Sequence, residues 1–409
     1  MILTWNRKVV TELPHPKTEE RIEILKQCEP ESMSAGLPVI WDKAKGHSVW
    51  DVFGNKFIDF TSTIFVTNSG HGAIANAIKK QADKLIHCYS YPNEPRIQLI
   101  ERLRRFFPNN YKFYLASAGS EVTDWATKLM RHYGSTFKHK RNVIISYTGS
   151  FHGKVGDAAK LEGQELRLNL PKSSKDWSVH KKLIDRVKHH CCGIMIESYQ
   201  GWSAEFMPIK YVQWLVTYCK KNKILVCFDE IQGGFWRTGN CFAYEHYESF
   251  FSSIQPDLIC LGKALGGGMP ISALAGRKDL FNVEHMSSTH SANPLCCAGA
   301  VEALNILSNS CSDINFTKKI SILHKKIKHI SDKFNIKVNG HGFLYGLIFK
   351  SKEIADEICY ECMRNGLLVV RTGRESIKIG PPLTITKGAL EEGLCVLEQA
   401  IKKCVEKTI

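Results

Sequence analysis

Apolar residues in the middle of the chain fall into short unbroken runs separated by longer stretches of helical period. Residues 142–147, 193–196, 224–228 and 258–261 are almost wholly apolar and too short for helices, so they predict buried strands. Amphipathic stretches such as 211–220 lie between them. That alternation predicts an α/β architecture, a mostly parallel sheet with helices on both faces. The clearest helix is expected over 120–133, where Val122, Trp125, Ala126, Leu129, Met130 and Tyr133 form one apolar stripe.

From about residue 306 the pattern changes. A basic helix (318–334) precedes a strand pair around Gly340-His341-Gly342, a helix over 354–365, short apolar runs, and a last helix to about 403. This predicts a smaller α+β domain. The first 50 residues read as extended and polar. The expected organisation is an N-terminal segment (1–50) packing with the small domain, a large domain (51–305), and the small C-terminal domain (306–409).

Composition adds limits. The chain has 409 residues, enough for two or three domains, and is 44% hydrophobic. No apolar run approaches the roughly 20 residues that cross a bilayer, and the N-terminal residues lack the apolar core of a signal peptide. The 15 cysteines include adjacent pairs (Cys191-Cys192, Cys296-Cys297) and a lone C-x-x-C at Cys359 and Cys362. That spacing suits neither a disulfide framework nor zinc. Reduced core thiols, no metal and a cytoplasmic location are expected. The formal net charge is +15, but the lysines are spread along the chain without a nucleic-acid motif. A solvated basic surface is expected, with no nucleic-acid or membrane partner and a slight bias toward anionic substrates.

Two strand ends carry candidate chemistry. The run 258–261 ends at Gly262-Lys263, followed by Gly266-Gly267-Gly268; the run 224–228 ends at Asp229. A lysine amine and a carboxylate at two strand ends suit pyridoxal phosphate (PLP): the lysine as Schiff base, the acid on the pyridine nitrogen. Gln232 is placed to bond the ring 3-oxygen, and Phe151 to stack on the ring. Ala118-Gly119-Ser120-Glu121 opens the clearest helix and leaves amides for a phosphate. Taken alone, each is ordinary: a surface lysine, an N-cap aspartate, a loop glutamine, a core phenylalanine. His152 reads equally either way.

Together, in order, these residues resemble the class III (ornithine/ω-amino-acid type) aminotransferases. Asn68-Ser69-Gly70-His71 matches that family's N-x-G-H element. Asp229-Glu230-Ile231-Gln232-Gly233-Gly234-Phe235-Trp236-Arg237-Thr238-Gly239 is similar to its D-E-V-Q-x-G-F-x-R-T-G signature. Ser288-Thr289-His290-Ser291-Ala292-Asn293-Pro294-Leu295 is similar to its S-T-F/H-x-x-N-P-L segment. The resemblance spans about 36–401. It implies PLP-dependent transferase fold type I, with the cofactor in the large domain. It implies a cytoplasmic homodimer with shared active sites and ping-pong transfer of an amino group from an amino donor to a keto acid, aldehyde or ketone. Gly119 and Ser120 would hold the phosphate, Phe151 would cover the ring, and Glu197 would line the wall. Thr289 would reach the neighbouring subunit's phosphate. Lys263 would carry the Schiff base and move the proton.

Two positions depart from the family pattern. Lys378, in Ser376-Ile377-Lys378-Ile379-Gly380-Pro381-Pro382-Leu383, stands where many members carry an arginine that grips a substrate carboxylate; lysine gives a point charge rather than a fork. Trp202, in Gln200-Gly201-Trp202, stands where the ornithine and GABA branches carry a gating acid. Both are expected to face substrate, and those two branches are disfavoured. A PLP aminomutase of the glutamate-1-semialdehyde type, a phospho-lyase or a racemase would share the cofactor residues. A non-catalytic PLP-binding scaffold is a remote rival.

Overall fold

The computed structural model describes residues 1–34, 36–62, 70–163, 165–248 and 254–406. Two compact units emerge, one of residues 74–306 and one of residues 1–73 with 307–409.

The first unit is built on a seven-stranded sheet. Its strands run in the order Tyr111–Ala116, Ser272–Arg277, Leu258–Leu261, Leu225–Asp229, Cys191–Glu197, Val143–Tyr147 and Leu166–Leu168. The pairings of Ser272–Arg277 with its two neighbours are antiparallel, and the rest are parallel. All seven residues of Cys191–Glu197 and all five of Leu225–Asp229 are buried. Strands covered on both faces read as continuous apolar runs, which is why these stood out in the sequence. Tyr111–Ala116, Leu166–Leu168 and Ser272–Arg277 did not. The edge strands are short or partly polar, and Ser272–Arg277 is made of small residues with no β-branched run.

The helix Gly119–Ser135 lies on this sheet and buries Val122, Ala126, Leu129 and Met130. They pack with Cys192, Met195, Cys227, Cys260 and Leu274 of the strands. The close approach depends on Gly193, where an added Cβ would come within 2.2 Å of the Met130 sulfur. Truncating a buried leucine such as Leu129 to alanine costs about 2–5 kcal/mol in such a core.

The second unit joins both chain ends. Lys56–Asp59 pairs antiparallel with Ser48–Asp51 and parallel with Leu367–Leu368. A separate antiparallel sheet runs Lys337–His341, Leu344–Ile348, Ser376–Ile379, Val370–Arg371. Glu392, in the Lys387–Glu406 helix, accepts hydrogen bonds from Thr4, Asn6 and Arg7. The boundary expected at residue 50 falls inside this unit, because the turn after Asp51 returns the chain into the same sheet.

The first 50 residues are not simply extended. Pro16–Cys28 is a helix, capped by His15 with proline in its first turn. Only Thr18 is buried along it. A helix without an apolar stripe shows no period, and straight-chain residues such as Glu, Lys and Leu favour it by propensity alone. No disulfide joins the fifteen cysteines among the described residues, and ten of them are buried. Among the described residues, no helix is long and apolar enough to cross a membrane.

Candidate active site

Three parallel strands end side by side. Glu197 closes one and pairs in register with Asp229, which closes the next; Asp229 in turn pairs with Cys260. Leu261 ends the third, and Gly262 leads directly to Lys263. Ligands in open α/β sheets bind outside the carboxyl ends of the strands, so two acids and a lysine converge where such a sheet binds.

Lys263 begins a tight turn, Lys263–Gly266, with φ of 41°. A non-glycine residue in the left-handed region is strained, and such strain concentrates at functional sites. Lys263 is half-buried. Desolvation lowers its pKa, although Asp229 and Glu197 nearby oppose the shift. A depressed amine is more often neutral, hence more nucleophilic.

Asp229 is buried, and each carboxylate oxygen is used. Oδ1 accepts from the Ile231 N–H at 3.1 Å, and Oδ2 meets His152 Nδ1 at 2.8 Å. Burial works against the imidazolium, yet the bond to Asp229 and the charges of Asp229 and Glu197 raise the His152 pKa overall. His152 thus holds Asp229 through Nδ1, while its Nε2 is buried without a hydrogen-bond partner among the described residues.

Glu197 is also buried. Its Oε2 accepts from the Phe151 N–H at 3.3 Å, and its Oε1 from the Gly201 N–H at 3.2 Å. Burial is the main force on its carboxyl, pushing the pKa up to about 7. Glu230, next to Asp229, is wholly buried and pushed up to about 8 by desolvation while accepting from the Ala243 and Tyr244 N–H groups.

At the helix Gly119–Ser135, Glu121 accepts from the Ser117 and Ala118 N–H groups at 2.7 and 2.9 Å. The Glu121 N–H bonds the Ala118 carbonyl at 3.1 Å, which leaves the Gly119 and Ser120 amides for an anion. Gly153, with φ of 111°, presses on Ser120: an added Cβ would lie 2.5 Å from Ser120 Oγ. Ile231 is wedged between Gly119 and Gly262, at 3.0 and 3.3 Å from where their Cβ atoms would be. It sets the spacing between the Gly119 turn and the Gly262-Lys263 turn. Nothing in the sequence marked it, since its partners are two glycines far away along the chain.

The residues suit a flat cationic heterocycle with a phosphate tail. Among the described residues the buried Gln232 Nε2 has no hydrogen-bond partner, an orphaned donor at the strand ends. Gly201 leaves room for that amide, since a Cβ there would meet Gln232 Oε1 at 2.3 Å. Phe151 is 54% exposed, a large ring facing open space with Lys154 Nζ 5.2 Å from its centroid.

Lys263, Asp229, Glu197, Gln232, Gly119, Ser120, Phe151 and His152 therefore gather at one end of the large sheet. Trp202 is half-buried in the turn just after Gly201. Thr289 lies exposed in the loop before the Pro294–Cys311 helix. Lys378 is buried in the strand Ser376–Ile379 of the other unit, opposite Gly346 and Val370. Asn68 and Ser69 of the N-x-G-H element lie outside the described residues.

The profile of the Aminotransferase class-III family matches residues 31–174 and 162–401. An acetylornithine aminotransferase of Caldanaerobacter subterraneus subsp. tengcongensis is 32% identical over 384 residues, covering 90% of this chain and 95% of that protein. An acetylornithine/succinyldiaminopimelate aminotransferase of Buchnera aphidicola subsp. Acyrthosiphon pisum is 32% identical over 91% of this chain and 94% of its own length. Among solved structures, the acetylornithine aminotransferase of Elizabethkingia anophelis superposes with a TM-score of 0.80 at 26% identity, covering 94% of this chain and 99% of that one. A transaminase from the marine bacterium Virgibacillus superposes with a TM-score of 0.85 at 21% identity over 95% of this chain and 100% of its own, a likeness of fold. The chain belongs to the class-III aminotransferase family, enzymes that move amino groups with pyridoxal phosphate as cofactor.

Proposed function

We propose that Lys263 and Asp229 are the catalytic pair of this aminotransferase, and that Gly119, Ser120, Phe151, Glu197 and Gln232 seat the cofactor, with His152 acting through Asp229. The observation that carries this reading is the alignment of Glu197, Asp229 and Lys263 at adjacent strand ends. PLP, when bound, supplies an aldehyde that takes up the amino group and a ring that accepts electron density from the neighbouring carbon.

The chain's own groups do the rest. Lys263 Nζ would hold the cofactor aldehyde and, once free of it, would carry the proton. Asp229 would face the pyridine nitrogen, held in orientation by His152 and the Ile231 N–H. The amides of Gly119 and Ser120 and the Ser120 hydroxyl would hold the phosphate, with the helix dipole behind them. The buried Gln232 amide would serve the ring oxygen, and the Phe151 ring would cover the cofactor. The donor half and the acceptor half run in turn on the same residues.

The donor we propose is a carboxylate-bearing amine of the acetylornithine class. Relatives with that name are about a third identical over nine-tenths of this chain. Lys378 serves a substrate carboxylate, and Trp202 gives the entrance an apolar wall. We also propose a homodimer in which Thr289 reaches the partner's cofactor phosphate. Its exposure, and that of Leu85, Ile86, Tyr89 and Tyr91, supports this. Fifteen cysteines with no disulfide among the described residues favour a reducing cytoplasm.

The test is the visible spectrum of the purified protein with PLP, followed on adding amino acids, ω-amines and N-acylated diamino acids, with mass spectrometry of products. Bleaching of the visible band with amine appearing on a second molecule supports transfer. Amine retained on the same carbon chain would assign an aminomutase instead, and release of ammonia or phosphate a lyase.

A further inference from the structure

We propose that Glu197 is a positioning residue that ties the Phe151 turn to the Gly201-Trp202 turn, fixing the spacing of the two walls of the cofactor cleft. This rests on reading the strand ends as that cleft. Glu197 is the last residue of its strand and 6% exposed, so its backbone is rigid and its side chain has little freedom. The two turns come from different connections. Phe151 follows the strand Val143–Tyr147, whereas Gly201 follows the strand that Glu197 itself ends. Among the described residues, one carboxylate accepts the N–H of each: Oε2 from Phe151 at 3.3 Å and Oε1 from Gly201 at 3.2 Å.

The residue type matches the task. Two backbone donors need two acceptor oxygens on one rigid fork, which only a carboxylate provides. Glutamine would offer one oxygen and set an N–H against the other donor. Aspartate is a methylene too short to reach both turns. The contact at Gly201 is close enough to matter, since a Cβ there would lie 3.1 Å from Glu197 Oε1 and 2.3 Å from Gln232 Oε1. The clamp thus connects the exposed ring of Phe151 on one side with Trp202 on the other. His152, Asp229 and Lys263 surround the carboxylate, so it is not isolated from the catalytic charges.

The experiment is hydrogen exchange of the full chain without cofactor, read by mass spectrometry with residue-resolving fragmentation. Wild type is compared with Glu197→Gln and Glu197→Ala. In Glu197→Ala the amides of Phe151 and Gly201 should exchange on the order of tenfold faster or more, the scale of a lost charge-assisted hydrogen bond, with the strand Cys191–Glu197 unchanged. In Glu197→Gln only one of the two should accelerate. Unchanged exchange at both amides in either variant overturns the proposal. So does faster exchange throughout the sheet, which would make Glu197 a support of the fold rather than of the two turns. If Glu197→Ala does not fold, the isosteric Glu197→Gln carries the test. With PLP added, kcat should fall in the order wild type, Gln, Ala; equal loss in the two variants would assign Glu197 a charge role instead. Failure of the Lys263 reading is seen separately, as no visible band with PLP, and leaves the exchange result standing.

Discussion

His152 Nδ1 lies 2.8 Å from the Asp229 Oδ2, and both side chains are buried. A carboxylate at a strand end, held by a core imidazole and by the Ile231 N–H, keeps its orientation. We predict that Asp229→Asn, which keeps the shape and removes the charge, lowers kcat/KM by about 10²–10³-fold, the scale of losing one aligned electrostatic group. His152→Ala should leave Asp229 short of a partner and cost about 1–3 kcal/mol in a urea titration. Full activity in Asp229→Asn would remove Asp229 from the catalytic pair.

Lys263→Ala should abolish turnover, and multiple turnovers at the wild-type rate would overturn its assignment. A second outcome concerns the protein without cofactor. The folded-state pKa of Lys263 is depressed below 10.5 by burial. Between the depressed value and 10.5 the folded state has lost a proton that the unfolded state keeps, so this group's contribution to stability rises with pH there. Below that window it carries the full penalty of a buried charge. Lys263→Met should therefore melt higher than wild type near neutral pH, and the gain should shrink as pH approaches 10.5. A lower melting temperature for the variant would contradict this.

Gly153 sits against Ser120 with a positive φ. Alanine there is strained and its methyl displaces the Ser120 hydroxyl. We predict that Gly153→Ala weakens PLP affinity on the order of tenfold or more, the equivalent of 1–3 kcal/mol of strain. Equilibrium titration of the cofactor-free protein measures it, and an unchanged dissociation constant would take Ser120 out of the phosphate site.

Glu230 is pushed up to about 8 and is wholly buried. Its folded-state pKa is raised, so between the ordinary value of 4.5 and about 8 the folded state holds a proton that the unfolded state has lost. Stability from this group falls as pH rises through that window. Relative to wild type, Glu230→Gln should gain stability from pH 5 to pH 8 as the wild-type penalty grows. Urea midpoints at several pH values check this, and parallel curves for the two proteins would exclude it.

Lys378 stands in the small unit's sheet, where the family pattern often has arginine. If it meets a substrate carboxylate, Lys378→Ala should raise KM for carboxylate-bearing partners about tenfold or more, the worth of a charged hydrogen bond, while kcat for amines lacking a carboxylate changes little. Equal kinetics with every carboxylate partner would place Lys378 outside the site.

Much of the large unit was legible in the chain itself, because its central strands are buried on both faces. Val143–Tyr147, Cys191–Glu197, Leu225–Asp229 and Leu258–Leu261 appear as apolar runs with boundaries off by a residue or two. The chemistry-bearing residues announced themselves at the ends of those runs: Asp229 after Phe228, Lys263 after Gly262. Less was legible where burial is one-sided or absent. The helix Pro16–Cys28 is polar on nearly every face, and Ser272–Arg277 is built of small residues. What only the tertiary structure decided is which groups meet. That His152 bonds Asp229, that Glu197 accepts from both Phe151 and Gly201, and that Ile231 separates two glycine turns depend on register and on contacts between residues far apart in the chain. Local composition sets where strands and helices form; only the packing of the sheet brings their ends within hydrogen-bond reach, and a linear pattern carries no record of that distance.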